Sequence, residues 1–320
     1  MLNKILRPIV KIIINIGFPF TFLAAIWLKL ARKVKIGYLE EKIFMMVGVL
    51  PIIDHYYEPV VNPKKHLIKP LSDDRPLPGI DLNTDEQLAL LEQFNYNDEL
   101  KKFPLEEKEK FEFYYNNGFY ESGDAEYLYS IVRHLKPGKI IEIGSGYSTL
   151  MAQKALLQNK LEDSNYQYKH ICVEPYEQPW LDKKVEVVRE RVETIDKRFF
   201  EQLEANDILF IDSTHVIKPQ GDVLFEYLEI LPILKPGVIV HIHDIFTPKN
   251  YPDKWIIDEH RLWNEQYLLE AFLTFNSKFK IIGALNYLSH NYHDQFVAKN
   301  PIFGTQPGRE IGAFWMIKTA

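Results

Sequence analysis

The chain has 320 residues, of which 46% are apolar and 13% aromatic, which is enough for one large domain with an extension or for two domains. Its formal net charge is −6, and such mild acidity argues against a dedicated nucleic-acid binder, which usually carries a basic excess on one face. Cys172 is the one cysteine. This excludes an intrachain disulfide and a cysteine-based zinc site, and it suits a reducing cytoplasm.

The N-terminal region is apolar and basic, unlike the rest of the chain. Its apolar stretch from Ile12 to Leu28 is interrupted by Gly17 and Pro19. The basic flanks are Lys4, Arg7 and Lys11 before the stretch and Lys29, Arg32, Lys33 and Lys35 after it. The stretch is slightly short for a transmembrane helix, and no small-residue cleavage site marks it as a signal peptide.

Three interpretations of this region stay open. Its basic flanks and its aromatic residues fit a helix that lies at the interface of an anionic membrane. Alternatively, the helix packs on the protein's own body or on a partner subunit of a homo-oligomer, and the third interpretation is a true span. We therefore expect a cytoplasmic protein, with the inner face of the membrane as the alternative location.

The sequence predicts three parts: an apolar basic helical segment over residues 1–50, an extended arm with short helices over residues 51–112, and a large domain over residues 113–320. The arm is rich in proline, and short helices are predicted at Asp85–Phe94 and Leu105–Tyr115. The aromatic cluster His55-Tyr56-Tyr57 is interpreted either as part of a lid over a binding site or as an anchor of the arm.

The large domain alternates short apolar runs with helical patterns, after a first helix that begins at Asp124. The predicted strands are Lys139–Ile143, His170–Glu174, Val185–Arg189, Asp207–Asp212, Val238–Asp244, Phe279–Leu288 and Gly312–Lys318. The helical patterns are Ser148–Lys160, Thr194–Glu204, Gly221–Leu234 and Arg261–Phe275. This alternation predicts an α/β fold with a Rossmann-like, doubly wound, mostly parallel seven-stranded sheet. The last two strands are predicted to form a hairpin-like pair without an intervening helix, and the last strand is antiparallel.

A glycine-bearing turn follows the first predicted strand and opens a helix. Its sequence is Gly144-Ser145-Gly146, and Glu142 lies two residues before the first glycine. Glycines allow a sharp turn and a close approach of the backbone to a ligand. A dinucleotide-binding turn would have a third glycine where Thr149 stands, so that fingerprint is incomplete. The turn is nevertheless placed where doubly wound sheets bind nucleosides.

The second predicted strand ends in Glu174, whose carboxylate can accept both hydroxyls of a ribose. Together with Glu142, the two glycines and Ser145, this acid resembles the first motifs of the class I S-adenosylmethionine-dependent methyltransferases. The resemblance implies that these residues and Asp212 bind S-adenosylmethionine. It also implies that the acid at Glu142 orients the methionine end of the cofactor through water or backbone amines.

Acids and histidines follow the fourth and fifth predicted strands. Asp212 and His215 come after one strand, and His243 and Asp244 after the other, so parallel pairing would place all four beside the cofactor. Asp212, Asp244 and His243 are candidate ligands of Mg²⁺ or another divalent cation, which would lower the pKa of a substrate hydroxyl. Alternatively, His215 or His243 is a general base without a metal. His241 and His243 lie on one side of the strand, and one of them could simply be a buried histidine.

A longer resemblance, over about residues 113–320, links the chain to a group of bacterial class I methyltransferases whose relatives act on sugars or secondary metabolites. The segments that carry it are Asp207–His215, Gly221-Asp222, Leu234–Gly237, His243–Ile245 and Trp263–Tyr267. It implies methyl transfer from S-adenosylmethionine to a hydroxyl of a small molecule or glycan. A metal-dependent enzyme without methylating activity and a non-catalytic membrane-associated scaffold are the alternatives. No adenine-binding signature is recognisable at Arg191-Val192-Glu193.

Overall fold

A computed structural model describes residues 6–34, 36–176 and 180–320. The chain divides into two compact units, Met1–Ile68 and Lys69–Ala320, whereas the sequence suggested boundaries after residues 50 and 112. The second half of the predicted arm belongs to the larger unit because Leu91, Phe94 and Leu100 are buried in its core. Lys4 and Lys35 belong to the predicted basic flanks and lie outside the described residues.

The smaller unit contains four helices: α1 (Leu6–Ile16), α2 (Phe18–Lys33), α3 (Tyr38–Val47) and α4 (Pro63–His66). None of the four buries a residue. Among the described residues, no helix by itself has the length and apolar character needed to cross a membrane. By length and composition alone, α1 and α2 would do so together, but they are bent by 73° at the break between them.

The larger unit is built on one seven-stranded sheet. Its strands are β1 (Lys139–Ile143), β2 (Lys169–Val173), β3 (Glu186–Val188), β4 (Ile208–Ile211), β5 (Ile239–Ile242), β6 (Phe279–Ala284) and β7 (Phe314–Lys318). They are arranged in the order β3-β2-β1-β4-β5-β7-β6. The first five strands pair in parallel, and β7 is antiparallel to both β5 and β6. The predicted fold class is thereby confirmed.

Helices and irregular segments connect these strands. The α-helices of this unit are α5 (Thr84–Glu92), α6 (Asn97–Leu100), α7 (Asp124–Leu135), α8 (Tyr147–Glu162), α9 (Asp222–Phe225), α10 (Leu231–Ile233), α11 (Glu265–Leu273), α12 (Leu285–Asn291) and α13 (His293–Lys299). A π-helical turn, Glu226–Ile230, joins α9 to α10, and another occupies Lys254–Asp258. Shorter 3₁₀ turns lie at Leu181–Lys183, Val192–Thr194, Lys197–Gln202 and Phe303–Thr305.

Two hydrophobic cores lie on opposite faces of the sheet. Successive side chains of a strand point to opposite faces, so Ile208 and Phe210 of β4 join one core while Leu209 and Ile211 join the other. Burial on both faces explains why the central strands are apolar runs without alternation. Glu142 stands between two apolar residues of β1. Its side chain points to the face of the sheet that α7 and α8 cover.

Three predictions of local structure were wrong. The last two strands do pair antiparallel, but the expected absence of a helix between them is contradicted, because α12 and α13 lie there and β6 already ends at Ala284. Residues 105–115 are turns and bends rather than a helix. The predicted helix Thr194–Glu204 is replaced by two 3₁₀ turns. In the last two cases apolar residues such as Phe113 and Phe200 are buried in the core without forming a continuous helical stripe.

Candidate active site

Two cavities meet at the edge of the sheet where β1, β4 and β5 end. The smaller one, of about 290 Å³, is bordered by the glycine turn and the end of β2. The larger one, of about 980 Å³, contains the acids and histidines that follow β4 and β5. Both are lined by Asp212, Ser213 and Thr214. This shared wall places a nucleoside-sized pocket directly beside a second, wider pocket.

The glycine turn is shaped by close packing on one side and by open space on the other. Gly144 has φ +94°, and a Cβ there would lie 2.4 Å from the carbonyl oxygen of Asp212, so only glycine fits this position. At Gly146 a Cβ would meet nothing within 4 Å. Gly144 is therefore required by the fold, whereas Gly146 borders open space at the start of α8, in a third cavity of about 440 Å³ that Tyr147 and Trp180 also line.

Glu174 connects the end of β2 to this turn. Ser145 Oγ donates a hydrogen bond to Glu174 Oε2 at 2.8 Å, and the backbone N–H of Tyr176 donates to Oε1 at 3.0 Å. Glu174 lines the smaller cavity. Arg191, Val192 and Glu193 line the same cavity. The segment without a recognisable adenine signature thus shares this cavity with Glu174.

Glu142 lies behind the glycine turn and lines neither cavity. It is 1% exposed, and its carboxylate accepts hydrogen bonds from Ser148 Oγ at 2.5 Å and Thr149 Oγ1 at 2.7 Å. His170 Nε2 lies 3.1 Å from the same carboxylate and Cys172 Sγ lies 3.4 Å away. Thr149 Oγ1 in turn accepts from the backbone N–H of Gly146 at 3.0 Å. Glu142 can therefore affect a bound ligand only indirectly, by holding the glycine turn in place.

The four predicted acids and histidines are brought together in the larger cavity. His215 Nε2 lies 3.3 Å from Asp212 Oδ1 and 3.5 Å from Asp244 Oδ2. His243 Nδ1 lies 3.5 Å from Asp212 Oδ1 and 3.8 Å from Asp244 Oδ1. One ligand atom each from Asp212, His243 and Asp244 lie within 4.8 Å of one another. Two carboxylates and an imidazole are a donor set suited to a hard divalent cation.

Two further carboxylates, which the sequence did not single out, stand behind the histidines. Glu265 Oε2 lies 2.8 Å from His215 Nδ1, and its side chain is fully buried. Asp124 Oδ2 lies 3.7 Å from His243 Nε2 and accepts from the backbone N–H of Gly312, while Asp124 Oδ1 accepts from the backbone N–H of Ala313. Each histidine therefore has one nitrogen towards the cavity and the other towards a supporting carboxylate, which fixes its orientation.

The surrounding carboxylates control the charge of this cluster. Burial alone would lower the pKa of His215, but its hydrogen bonds with Asp212 and Glu265 outweigh burial and raise the pKa to about 10. For His243, burial is likewise outweighed by the charges of Asp244 and Asp212, which raise its pKa well above the usual value. Burial and the neighbouring Asp212 raise the pKa of Asp244, against the opposing effect of the two histidines. Asp212 and the histidines thus favour each other's charged forms.

His241 differs from these residues. It is fully buried, and its ring lies 4.0 Å from the ring of Phe210 and 4.4 Å from that of Trp315. Burial and the positive charge of His243 lower its pKa well below the usual value. Of the two histidines on this side of β5, His241 is the buried one and His243 reaches the cavity.

Two residues of the site have a positive φ. His215 has φ +59° and Asp244 has φ +57°, a left-handed conformation that non-glycine residues adopt infrequently. Such a conformation persists only where the surroundings enforce it.

The far wall of the larger cavity is aromatic and cationic. The Arg261 guanidinium lies 4.2 Å from the ring centre of Trp255 and 4.5 Å from that of Trp263. Trp263 also packs against His215, with ring centres 4.4 Å apart. Trp255, Arg261 and Trp263 all come from the connection between β5 and α11, and all three line the cavity.

The larger unit has a relative in Archaeoglobus fulgidus, an uncharacterized protein that is 31% identical over 204 residues. The match covers 58% of this chain and 89% of that protein. Residues 141–245, which span the glycine turn and the cluster up to Asp244, match the family described as a methyltransferase domain. This chain belongs to that family. Its methyltransferase domain therefore includes both the glycine turn and the cluster of acids and histidines.

Solved structures resemble the methyltransferase domain only distantly. One is a SAM-dependent methyltransferase from Archaeoglobus fulgidus, with 13% identity and a TM-score of 0.31 over 64% of this chain and 97% of that one. Another is the MycE methyltransferase of the mycinamycin biosynthetic pathway, solved with Mg, SAH and mycinamycin VI, with 14% identity and a TM-score of 0.30 over 59% of this chain. A third is a protein-L-isoaspartate O-methyltransferase from Plasmodium falciparum, with 15% identity, a TM-score of 0.23 and 35% of this chain covered. This chain spans about half the length of two of them, 48% of the MycE chain and 55% of the Plasmodium falciparum chain. With TM-scores this low, none of the three indicates the activity of this chain.

Proposed function

We propose that the protein transfers a methyl group from S-adenosylmethionine to a hydroxyl of a small molecule or glycan, assisted by a divalent cation. The observation that carries this proposal is the pair of cavities that share Asp212, Ser213 and Thr214. A nucleoside pocket on one side and a polar cavity with two histidines on the other is the arrangement that an in-line transfer between two ligands requires.

The smaller cavity fits the adenosyl part of the donor. Gly144 and Glu174 both line this cavity, and the carboxylate of Glu174 would accept the ribose hydroxyls. Arg191, Val192 and Glu193 would contact the base. S-adenosylmethionine supplies a methyl group on a positively charged sulfur, so the chain has only to align the acceptor and to take up its proton.

The larger cavity fits the acceptor. The O–C bond forms with an electron pair of the acceptor oxygen, the C–S bond breaks with its pair left on sulfur, and the hydroxyl proton moves to His215 Nε2. Glu265 holds the opposite nitrogen of this ring at 2.8 Å and stabilises the charged imidazole that results. When bound by Asp212, Asp244 and His243, a divalent cation would lower the pKa of the acceptor hydroxyl and favour the neutral form of His215.

The experiment is a methyl-transfer assay with isotope-labelled S-adenosylmethionine and panels of glycans and hydroxylated small molecules, with Mg²⁺ or with a chelator. We expect label on an acceptor oxygen, and less of it after chelation. Failure to bind S-adenosylmethionine or S-adenosylhomocysteine would rule the proposal out. Label on nitrogen or carbon would reject the hydroxyl acceptor alone, and full activity with chelator would reject the cation alone.

A further inference from the structure

The first two helices of the described chain expose apolar side chains on most of their surface. Neither α1 nor α2 buries a residue. Phe18, Phe20, Phe22 and Trp27 are between 61% and 79% exposed. Exposed apolar patches of this kind mark sites of contact with a membrane or another protein.

Helix α1 separates its polar residues from its apolar ones. Arg7, Lys11 and Asn15 follow one another at intervals of four residues and therefore share one face of the helix. The remaining faces carry isoleucine, leucine and valine, for example Ile9 and Ile13, which are 50% and 63% exposed. A basic stripe opposite a large apolar face is typical of helices that lie in a membrane interface.

The charge of the N-terminal segment indicates which kind of surface its apolar face contacts. Residues 1–39 contain seven Lys and Arg and no Asp or Glu, which gives this segment a charge of +7. The net charge of the whole chain is −6, so residues 40–320 carry −13. The concentration of positive charge beside exposed apolar residues complements an anionic lipid surface. Contact between the same segments of two copies would instead bring like charges together.

The lengths of the two helices favour an interfacial position over a crossing. With 11 and 16 residues, α1 and α2 are roughly 16 Å and 24 Å long, against a hydrocarbon core of about 30 Å. The 73° bend between them prevents them from acting as one straight span. Each helix can lie along a surface with its apolar side chains inserted.

We propose that α1 and α2 form an interfacial anchor that binds membranes containing anionic lipids, by insertion of their aromatic and aliphatic side chains and by attraction of Arg7 and Lys11 to the headgroups. This inference does not depend on the proposed methyl transfer, since it concerns the smaller unit alone.

The test is flotation of the full-length protein with vesicles of phosphatidylcholine, with and without phosphatidylglycerol, at low and high salt. We expect binding to the phosphatidylglycerol vesicles only, and release by salt, because screening weakens attraction between exposed charges. Arg7→Glu with Lys11→Glu should reduce the fraction bound at least tenfold. The matched control is Lys101→Glu with Lys102→Glu, an exposed pair in the larger unit, and it should bind like the unchanged protein.

A second variant, Phe20→Ser with Trp27→Ser, tests the apolar contribution, and it should also lose binding while circular dichroism shows unchanged helix content. Equal binding to both kinds of vesicle, resistant to salt and alkaline carbonate, would overturn the proposal in favour of a true span. Absence of vesicle binding together with dimerisation that the Phe20 and Trp27 changes abolish would overturn it in favour of contact between two copies. Absence of both would overturn it outright.

Discussion

The hydroxyl of Ser145 donates a hydrogen bond to the carboxylate of Glu174 at 2.8 Å. Ser145 lies between the two glycines of the turn after β1, and Glu174 follows β2, so this bond joins two segments that are 29 residues apart. The proposed donor site requires these segments to be adjacent. Each oxygen of Glu174 accepts one bond within the chain and keeps a lone pair for a ribose hydroxyl.

The two glycines of the turn should respond differently to alanine. Gly144→Ala places a Cβ 2.4 Å from a backbone oxygen at φ +94° and should lower the free energy of unfolding by about 1 to 3 kcal/mol or more. Gly146→Ala has room for its methyl group, so it should unfold like the unchanged protein. Urea denaturation of both variants measures the difference. The reverse ranking of stabilities would show that the turn is built differently.

Asp244→Asn should remove turnover while cofactor affinity persists. Asparagine tolerates the left-handed conformation that Asp244 adopts at φ +57°, so the fold is preserved better than by alanine. Loss of one of two carboxylates from the cluster should weaken Mg²⁺ binding and lower kcat by about 100-fold or more. The measurements are calorimetry with S-adenosylhomocysteine and initial rates with excess Mg²⁺. Equal loss of cofactor affinity and turnover would make Asp244 a structural residue.

Glu265→Gln should slow the reaction without destabilising the fold. Residues that orient a ligand or base typically contribute about 10- to 100-fold, and the Glu265 carboxylate contacts the nitrogen of His215 that faces away from the cavity. Its charge raises the pKa of the buried Glu226, so neutral glutamine should relieve this repulsion and leave the melting temperature unchanged or higher. The expected result is a lower kcat, a changed pH profile and unchanged cofactor affinity. A lower melting temperature with an unchanged pH profile would contradict a positioning role.

Glu126 should make the larger unit less stable as the pH rises. Burial raises its pKa from 4.5 to about 7, although the backbone N–H groups of Ile302, Phe303 and Gly123 oppose this shift. The folded state therefore binds more protons than the unfolded state between these two values, and stability decreases as the pH increases through that window. The loss approaches about 3 kcal/mol at the upper end, at 1.36 kcal/mol per pKa unit. Urea denaturation from pH 4.5 to 8 should show a flatter dependence for Glu126→Gln, and parallel curves would contradict this assignment.

The sheet was predictable because its signals are local. Apolar runs such as Lys139–Ile143 recur at a spacing that requires crossover connections, and the carboxyl ends of parallel strands must share one edge. The same rule places Glu174, Asp212 and Asp244 at one edge from the sequence alone. It did not detect α12 and α13, since the run Phe279–Leu288 continues its apolar pattern from β6 into a helix and periodicity alone does not separate the two.

The carboxylates that support the two histidines of the site could not be predicted from the sequence, and the reason is different. Asp124 stands at the start of a predicted helix and Glu265 within another, so their local sequence marks them as helical acids and not as site residues. Their pairing with His243 and His215 depends on tertiary contacts across 119 and 50 residues of chain. Likewise, the pattern placed Glu142 correctly on β1 but not its burial among Ser148, Thr149 and His170.

The most direct measurement of the central claim is calorimetric titration of S-adenosylhomocysteine into the unchanged protein, Glu174→Gln and Glu186→Gln. Glu186 is the matched control, an exposed acid on β3 that pairs with Lys169 outside both cavities. A charge-assisted hydrogen bond is worth about 1.5 to 3 kcal/mol, so Glu174→Gln should weaken binding at least tenfold while Glu186→Gln leaves it unchanged. If the ligand does not bind, or binds all three proteins equally, the nucleoside is not held between the glycine turn and Glu174.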